Sequence, residues 1–313
     1  MSLNENREFN YSEADFEKIR KVIYSKAGIS LSDSKKQLVY SRLARRLRAL
    51  KLPDFNSYLQ YLNANEQEHE EFVNALTTNL TAFFREPHHF DILANHAKKI
   101  KLLNRNMRIW CSASSTGEEP YSIAMTLVEA FGTYQPPVEI IASDIDSNVL
   151  RDASAGIYSL QRLESLSLAK RKQFFQRGKN DNAGKARVIQ ELRDMVEFRK
   201  INLLDESWNI QAPFDVIFCR NVMIYFDKAT QLRVLERMTR LLRSDGLYIA
   251  GHSESFAQAA HLVRLIGKTT YTLVRAKDAD EKRTLELKSD AVNESELKVK
   301  RDTGLKKDAS NEI

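Results

Sequence analysis

Residues 108–122 read RIWCSASSTGEEPYS. An apolar run from Arg108 to Ala113 gives way to small side chains, then to Glu118, Glu119 and Pro120, which open a helical pattern over Tyr121–Phe131. Strand, small-residue loop and helix in that order make the opening unit of an α/β fold. Toward the C-terminus, strand candidates recur at 138–144, 195–201, 215–219, 247–251 and 270–275, with another helical pattern over Lys228–Leu242. The alternation predicts a mostly parallel sheet covered on both faces, its last two strands forming an antiparallel edge. Between Asp144 and Met195 the rhythm breaks. There RGKNDNAGKARV, residues 177–188, carries the turn residues of a small β-hairpin insertion.

Upstream, no strand pattern is present. Phe16, Ile19, Ile23 and Ala27 fall at helical spacing, with Gly28 as a stop. Val39, Leu43, Leu47 and Leu50 mark a second helix, opened by Ser32-Asp33-Ser34 and closed before Pro53. Shorter helices are expected over 55–62 and 66–79. The tail beyond Ala276 is dense in both charge signs and poor in aromatics, so it is expected to be disordered.

The chain's 313 residues, 42% hydrophobic and 29% charged, suffice for a sizeable core. No run approaches the roughly 18 apolar residues of a membrane span, and the polar start MSLNENREFNYSEADF lacks a secretory apolar segment. The two cysteines, Cys111 and Cys219, make neither a disulfide framework nor a CxxC metal motif. Both sit in expected strands and are read as small hydrophobes. His69, His96 and His261 lack ligand spacing, and adjacent His88 and His89 would diverge by about 100° on a helix. No metal is therefore expected, and the location is expected to be cytoplasmic. A net charge of +6 leaves nucleic acid, an anionic surface or an acidic protein open as partners.

In open α/β sheets, ligands lie outside the carboxyl ends of the strands. After the first strand, carboxylates at a helix start would repel a pyrophosphate but suit a cationic ligand. After the second, ASDID places Asp144 to accept hydrogen bonds from ribose hydroxyls, with Asp146 as the following helix N-cap. A positively charged nucleoside without pyrophosphate points to S-adenosylmethionine. After the third strand, Asn202 and Leu203 could meet adenine; after the fourth, Arg220 and Asn221 stand at the mouth of the sheet. TTNLTAFFREPHHF, residues 77–90, joins the two halves. It threads Asn79, Thr81 and Arg85 among apolar residues, of which Phe83 or Phe84 is expected in the core.

Taken together, NALTTNLTAFFRE (74–86), ASSTGEEPYS (113–122), ASDID (142–146), FCRNVMIYFD (218–227) and AGHSE (250–254) resemble the bacterial chemotaxis receptor methyltransferases, the CheR family. The resemblance runs from about Asp15 to Arg275. It implies an α/β fold: a Rossmann-like S-adenosylmethionine-dependent methyltransferase domain with a small antiparallel β-subdomain, preceded by an all-helical domain. The corresponding division is 1–80 helical, 81–106 a linker contributing to the cofactor pocket, 107–276 methyltransferase with the β insertion at about 157–194, and 277–313 a charged tail. The implied activity is methyl transfer from S-adenosylmethionine to chemoreceptor glutamates (EC 2.1.1.80), with S-adenosylhomocysteine as product.

By position, the resemblance assigns Asn79, Thr81, Arg85, Glu119, Asp144, Asn202, Leu203, Arg220 and Asn221 to the cofactor. It places Arg85 and Tyr225 nearest the transferred methyl. The basic stretch YSRLARRLRALKL, residues 40–52, spreads Arg42, Arg45, Arg46 and Arg48 over the helix face opposite its leucines. Such a run is either a solvated face or a docking surface for acidic receptor helices. The β insertion is either a structural hairpin or a site of strand addition for a receptor C-terminal peptide. A monomer recruited to receptor arrays is expected, without membrane insertion and without nucleic acid, since no Asn/Asp-Pro-Pro-Tyr-type loop follows the fourth strand. A non-catalytic module would need a damaged pocket, and none is visible.

Overall fold

The computed structural model describes residues 7–274. Four helices come first: α1 (Glu13–Ala27), α2 (Lys36–Leu50), α3 (Phe55–Ala64) and α4 (Glu66–Leu76). Ser12 caps α1 in a reciprocal box with Asp15, and Gly28 ends it in the left-handed region at φ 68°. The periodic residues Phe16, Ile19, Ile23, Val39, Leu43 and Leu47 meet Tyr58 and Phe72 in one core. The fourth helix stops at Leu76, three residues earlier than expected. Thr77 turns extended, at φ −68° and ψ 153°, and the chain crosses to the sheet.

The segment read as a linker contains α5 (His88–Leu102), whose Phe90, Leu93, Ala97 and Ile100 join the core on one face of the sheet. Then follow β1 (Met107–Cys111), α6 (Glu118–Phe131), β2 (Val138–Asp144) and α7 (Ser147–Ala155). Next come β3 (Ile157–Ser159), α8 (Leu168–Phe174), β4 (Phe175–Arg177), β5 (Lys185–Val188) and α9 (Gln190–Asp194). The chain then forms β6 (Val196–Lys200), β7 (Phe214–Cys219), α10 (Lys228–Leu241), β8 (Leu242–Ala250), β9 (Val263–Gly267) and β10 (Thr270–Leu273).

Seven strands form one sheet in the order β6-β2-β1-β7-β8-β10-β9, with β10 antiparallel to both neighbours and the other pairings parallel. The antiparallel edge thus has one more strand, β9, than the sequence suggested. The insertion is a second sheet, β3-β5-β4, rather than a lone hairpin. Phe83 locks it to the body through edge contacts with Tyr158 and Phe175, at ring-centroid distances of 4.9 and 5.5 Å. The expected tail, 277–313, lies outside the described residues. Among the described residues, no helix is long and apolar enough to cross a membrane.

Strand order reverses between β1 and β7, because the chain runs outward through β2 and β6 and then returns. The loops after β1 and β7 therefore splay apart at their carboxyl ends and open a crevice.

Candidate functional site

That crevice is a cleft of about 910 Å³ of empty space, roofed by the 77–85 segment and the helical unit. The ten residues singled out around the cofactor and the methyl group all line it. Asn79, Thr81 and Arg85 come from the roof, Glu119 from the first turn of α6 and Asp144 from the end of β2. Asn202, Leu203, Arg220, Asn221 and Tyr225 come from the loops after β6 and β7.

Gly117 makes the turn after β1, at φ 95°, where a Cβ would stand 2.7 Å from the Tyr158 hydroxyl. The two glutamates that follow diverge. Glu118 turns to Arg162, 2.8 Å away, while Glu119 faces the cleft and pairs with the buried Arg220. Cys111 donates its thiol to Glu119 at 3.2 Å, and burial holds that thiol well above its usual range. It is thus a protonated donor and not only the small hydrophobe expected. Cys219 does pack in the opposite core, with burial pushing its thiol up to about 12.

Arg220 also donates to the carbonyl of Arg85 at 2.6 Å and lies 3.3 Å from Glu86, so it ties the roof to the sheet. Its Nε is buried with no hydrogen-bond partner among the described residues. Glu254, which the sequence reading left without a role, organises the same loop. Its carboxylate accepts the backbone N–H groups of Asn221, Val222, Met223 and Gly251, at 3.1, 3.0, 2.8 and 2.6 Å. Asn221 is held at φ 58°, outside the usual region for a side-chain-bearing residue. A Cβ on Gly251 would collide with the Asn221 amide at 2.4 Å. The only trace of this role in the sequence was the motif AGHSE.

Asp144 accepts the N–H of Ser115 at 2.8 Å and of Asp146 at 3.1 Å. Burial nevertheless pushes its carboxyl up to about 6. Asp146 caps α7 as expected, and it also takes the Asn79 amide at 2.8 Å and the Thr77 hydroxyl at 3.2 Å. Asn202 is less free than expected: its amide donates to the Lys26 carbonyl at 2.9 Å and accepts from Leu204 at 3.0 Å. Tyr225 sits in a short 3-10 turn whose carbonyl receives the Ser30 N–H at 2.8 Å. Arg85 is tethered to the Leu80 carbonyl at 3.0 Å.

The histidine pair departs from the expected divergence. His88 and His89 begin α5, where no preceding helical turn restricts their rotamers, and their rings lie 4.2 Å apart. Their nitrogens and the Glu86 carboxylate fall within 4.8 Å of one another. Burial lowers His89 to about 4, so it is neutral and donates Nε2–H to the Lys268 carbonyl at 2.7 Å.

The four arginines of α2 have different partners. Arg46 forks onto buried Glu68 and also pairs with Glu71, and Arg48 pairs with Glu8. Arg42 binds the end of α4. Arg45 is exposed and makes no ion pair among the described residues.

The cleft fits S-adenosylmethionine chemically. It offers a buried carboxylate fed only by backbone donors, a spare buried guanidinium N–H, and an acidic group at the α6 start. Comparison with known proteins is consistent with this fit. Residues 14–77 match the family model described as the CheR methyltransferase all-alpha domain, and 79–272 match its SAM binding domain. Chemotaxis protein methyltransferase 2 of Pseudomonas aeruginosa is 58% identical over 267 residues, spanning 85% of this chain and 95% of the relative. The chemotaxis protein methyltransferase of Salmonella typhimurium is 51% identical, covering 85% and 92%; that of Escherichia coli is 48% identical, covering 84% and 91%.

Proposed function

Because the chain belongs to the CheR methyltransferase family, and so is an S-adenosylmethionine-dependent methyltransferase of chemotaxis, we propose that it esterifies glutamate side chains of chemoreceptors. The convergence of ten cleft residues from both units carries this reading. S-adenosylmethionine supplies a methyl group activated on a sulfonium. Arg220 and Glu119 together match the opposite charges of an amino-acid moiety, and Asp144 matches a ribose diol. An acceptor glutamate, with an ordinary pKa of about 4.3, is already ionised at neutral pH, so no general base is required. The protein's task is alignment and partial exclusion of water. Arg85 draws and orients the incoming carboxylate. Tyr225, held from both units, fixes its approach.

Docking falls to the helical unit, where exposed Arg45, which makes no ion pair among the described residues, offers its charge to an acidic receptor helix. The enzyme works in the cytoplasm as a monomer brought to receptor arrays by its substrate. In the insertion sheet β4 is an edge strand bearing exposed Arg177, which suits strand addition by a receptor tail.

Tritiated S-adenosylmethionine and receptor-bearing membranes should yield label that base releases as volatile methanol. Base-stable label, or label on nucleic acid, overturns the reading.

Asp144 makes binding pH-dependent. Its folded pKa of about 6 lies above the ordinary aspartate value, so the neutral form accumulates as pH falls through 6. Only the carboxylate accepts both ribose hydroxyls. S-adenosylhomocysteine affinity should therefore fall below about pH 6, with proton release on binding near that pH. Calorimetry in buffers of different ionisation enthalpy reads the proton. Asp144→Asn should bind weakly and without that pH step; an unchanged step assigns it to another group.

A further inference from the structure

We propose that Arg42 is a positioning residue for the cofactor site, acting through residues 77–81 rather than by touching the receptor. The proposal rests on the cleft being the cofactor pocket.

An α-helix ends with carbonyls that lack intrahelical partners and with partial negative charge. At the end of α4 the Thr77 hydroxyl satisfies the Asn74 carbonyl at 2.9 Å, but the last turn has no basic residue and no glycine cap, which leaves the carbonyls beyond Asn74 and the helix-end charge to other partners. Arg42, on the neighbouring helix, serves both. Its Nη1 donates to the carbonyls of Leu76 at 3.0 Å and Thr77, with Ala75 at 3.4 Å, while Nη2 donates to the Thr78 hydroxyl at 3.2 Å. The guanidinium thus grips the point where the chain leaves the helix. One residue on, Asn79 donates to Asp146, and its carbonyl accepts the Ser115 hydroxyl at 3.0 Å. The Ser115 N–H in turn holds Asp144.

A path of hydrogen bonds, joined through the covalent chain at Thr78–Asn79 and at Ser115, therefore runs from α2 to the proposed ribose carboxylate. Arg45, three positions along α2, has none of these ties.

The test measures two quantities on the full chain. One is the Kd of S-adenosylhomocysteine by calorimetry, well below the melting temperature. The other is the KM for receptor at saturating S-adenosylmethionine. Arg42→Ala should raise the Kd about tenfold, the scale of losing hydrogen bonds from a charged donor, and leave the receptor KM within about twofold. Arg42→Lys should recover only part, because an ammonium keeps the charge but not the planar fork. Arg45→Glu should do the reverse, raising the receptor KM with an unchanged Kd.

A merely structural role would lower the melting temperature without moving Kd, and would overturn the proposal. So would a raised receptor KM with normal Kd, which would make Arg42 a docking residue. If Arg42→Ala does not fold, Thr78→Val removes one link and should weaken binding in the same direction; no change in its Kd overturns the proposal. Failure of the unsubstituted protein to bind S-adenosylhomocysteine would instead defeat the pocket assignment itself.

Discussion

Glu254→Gln is expected to reduce methyl transfer by about two orders of magnitude, the scale seen when reacting groups are misplaced by about 1 Å. The carboxylate receives four backbone N–H groups, three of them from consecutive residues immediately after Arg220. An amide of the same shape keeps one acceptor oxygen and turns an NH2 toward the other donors. Each buried N–H left unpaired costs about 1–3 kcal/mol. Two such losses exceed what is needed to release Asn221 from its left-handed backbone and to let Tyr225 drift. Burial already raises the pKa of Glu254 against the pull of those backbone donors. Glu254→Asp should be nearly as harmful, because the shorter side chain cannot reach both the 221–223 loop and Gly251. Steady-state rates with receptor membranes, together with thermal unfolding, check this. Full activity in Glu254→Gln would show that the loop is positioned by something else.

Glu254 also shows what a sequence hides. The strand ends and their loops were readable because small residues, acids and an arginine follow β-branched runs at intervals that only an α/β sheet explains. Asp144 and Glu119 were found by that route. The 77–81 roof was found by its odd mixture of polar and apolar residues. By contrast, Arg42 and Glu254 act by side-chain bonds to backbone at separations of roughly 30 residues, and such bonds leave no periodicity in the chain. Asn202, expected to meet adenine, lines the cleft, yet its amide is drawn to the Lys26 carbonyl of the helical unit, a long-range contact that the sequence does not display. Helix α5 was legible in principle, since Phe90, Leu93, Ala97 and Ile100 keep a helical period. The His-His pair and the roof motif before it drew that segment into the linker. Strand β9 was missed for a different reason: Leu265 and Ile266 are both exposed, so an edge strand lacks the alternation that marks a half-buried one.

Arg220→Ala should have the largest effect on cofactor binding, raising the Kd of S-adenosylhomocysteine by about a hundredfold and lowering stability by about 3–5 kcal/mol. The side chain is 1% exposed. Among the described residues, its removal leaves the Glu119 carboxylate with only the Cys111 thiol, and leaves the Arg85 carbonyl and Glu86 without the Arg220 cation. Such a pair is weak evidence for stability when intact, but breaking one side strands a buried charge. Arg220→Lys keeps that charge and should preserve most of the stability. It cannot span Glu119 and the Arg85 carbonyl together while still presenting a spare N–H, so affinity should remain low. The double-mutant cycle with Glu119→Gln separates the two contributions. If the pair works as a unit, Arg220→Ala combined with Glu119→Gln should lose less stability than the sum of the single losses, because the stranded charge is gone. Affinity should stay low in the double variant, because neither half of the amino-acid site remains. Additive stability losses would mean that Arg220 acts mainly through Arg85 and Glu86, by fastening the roof, and that Glu119 recognises the cofactor independently.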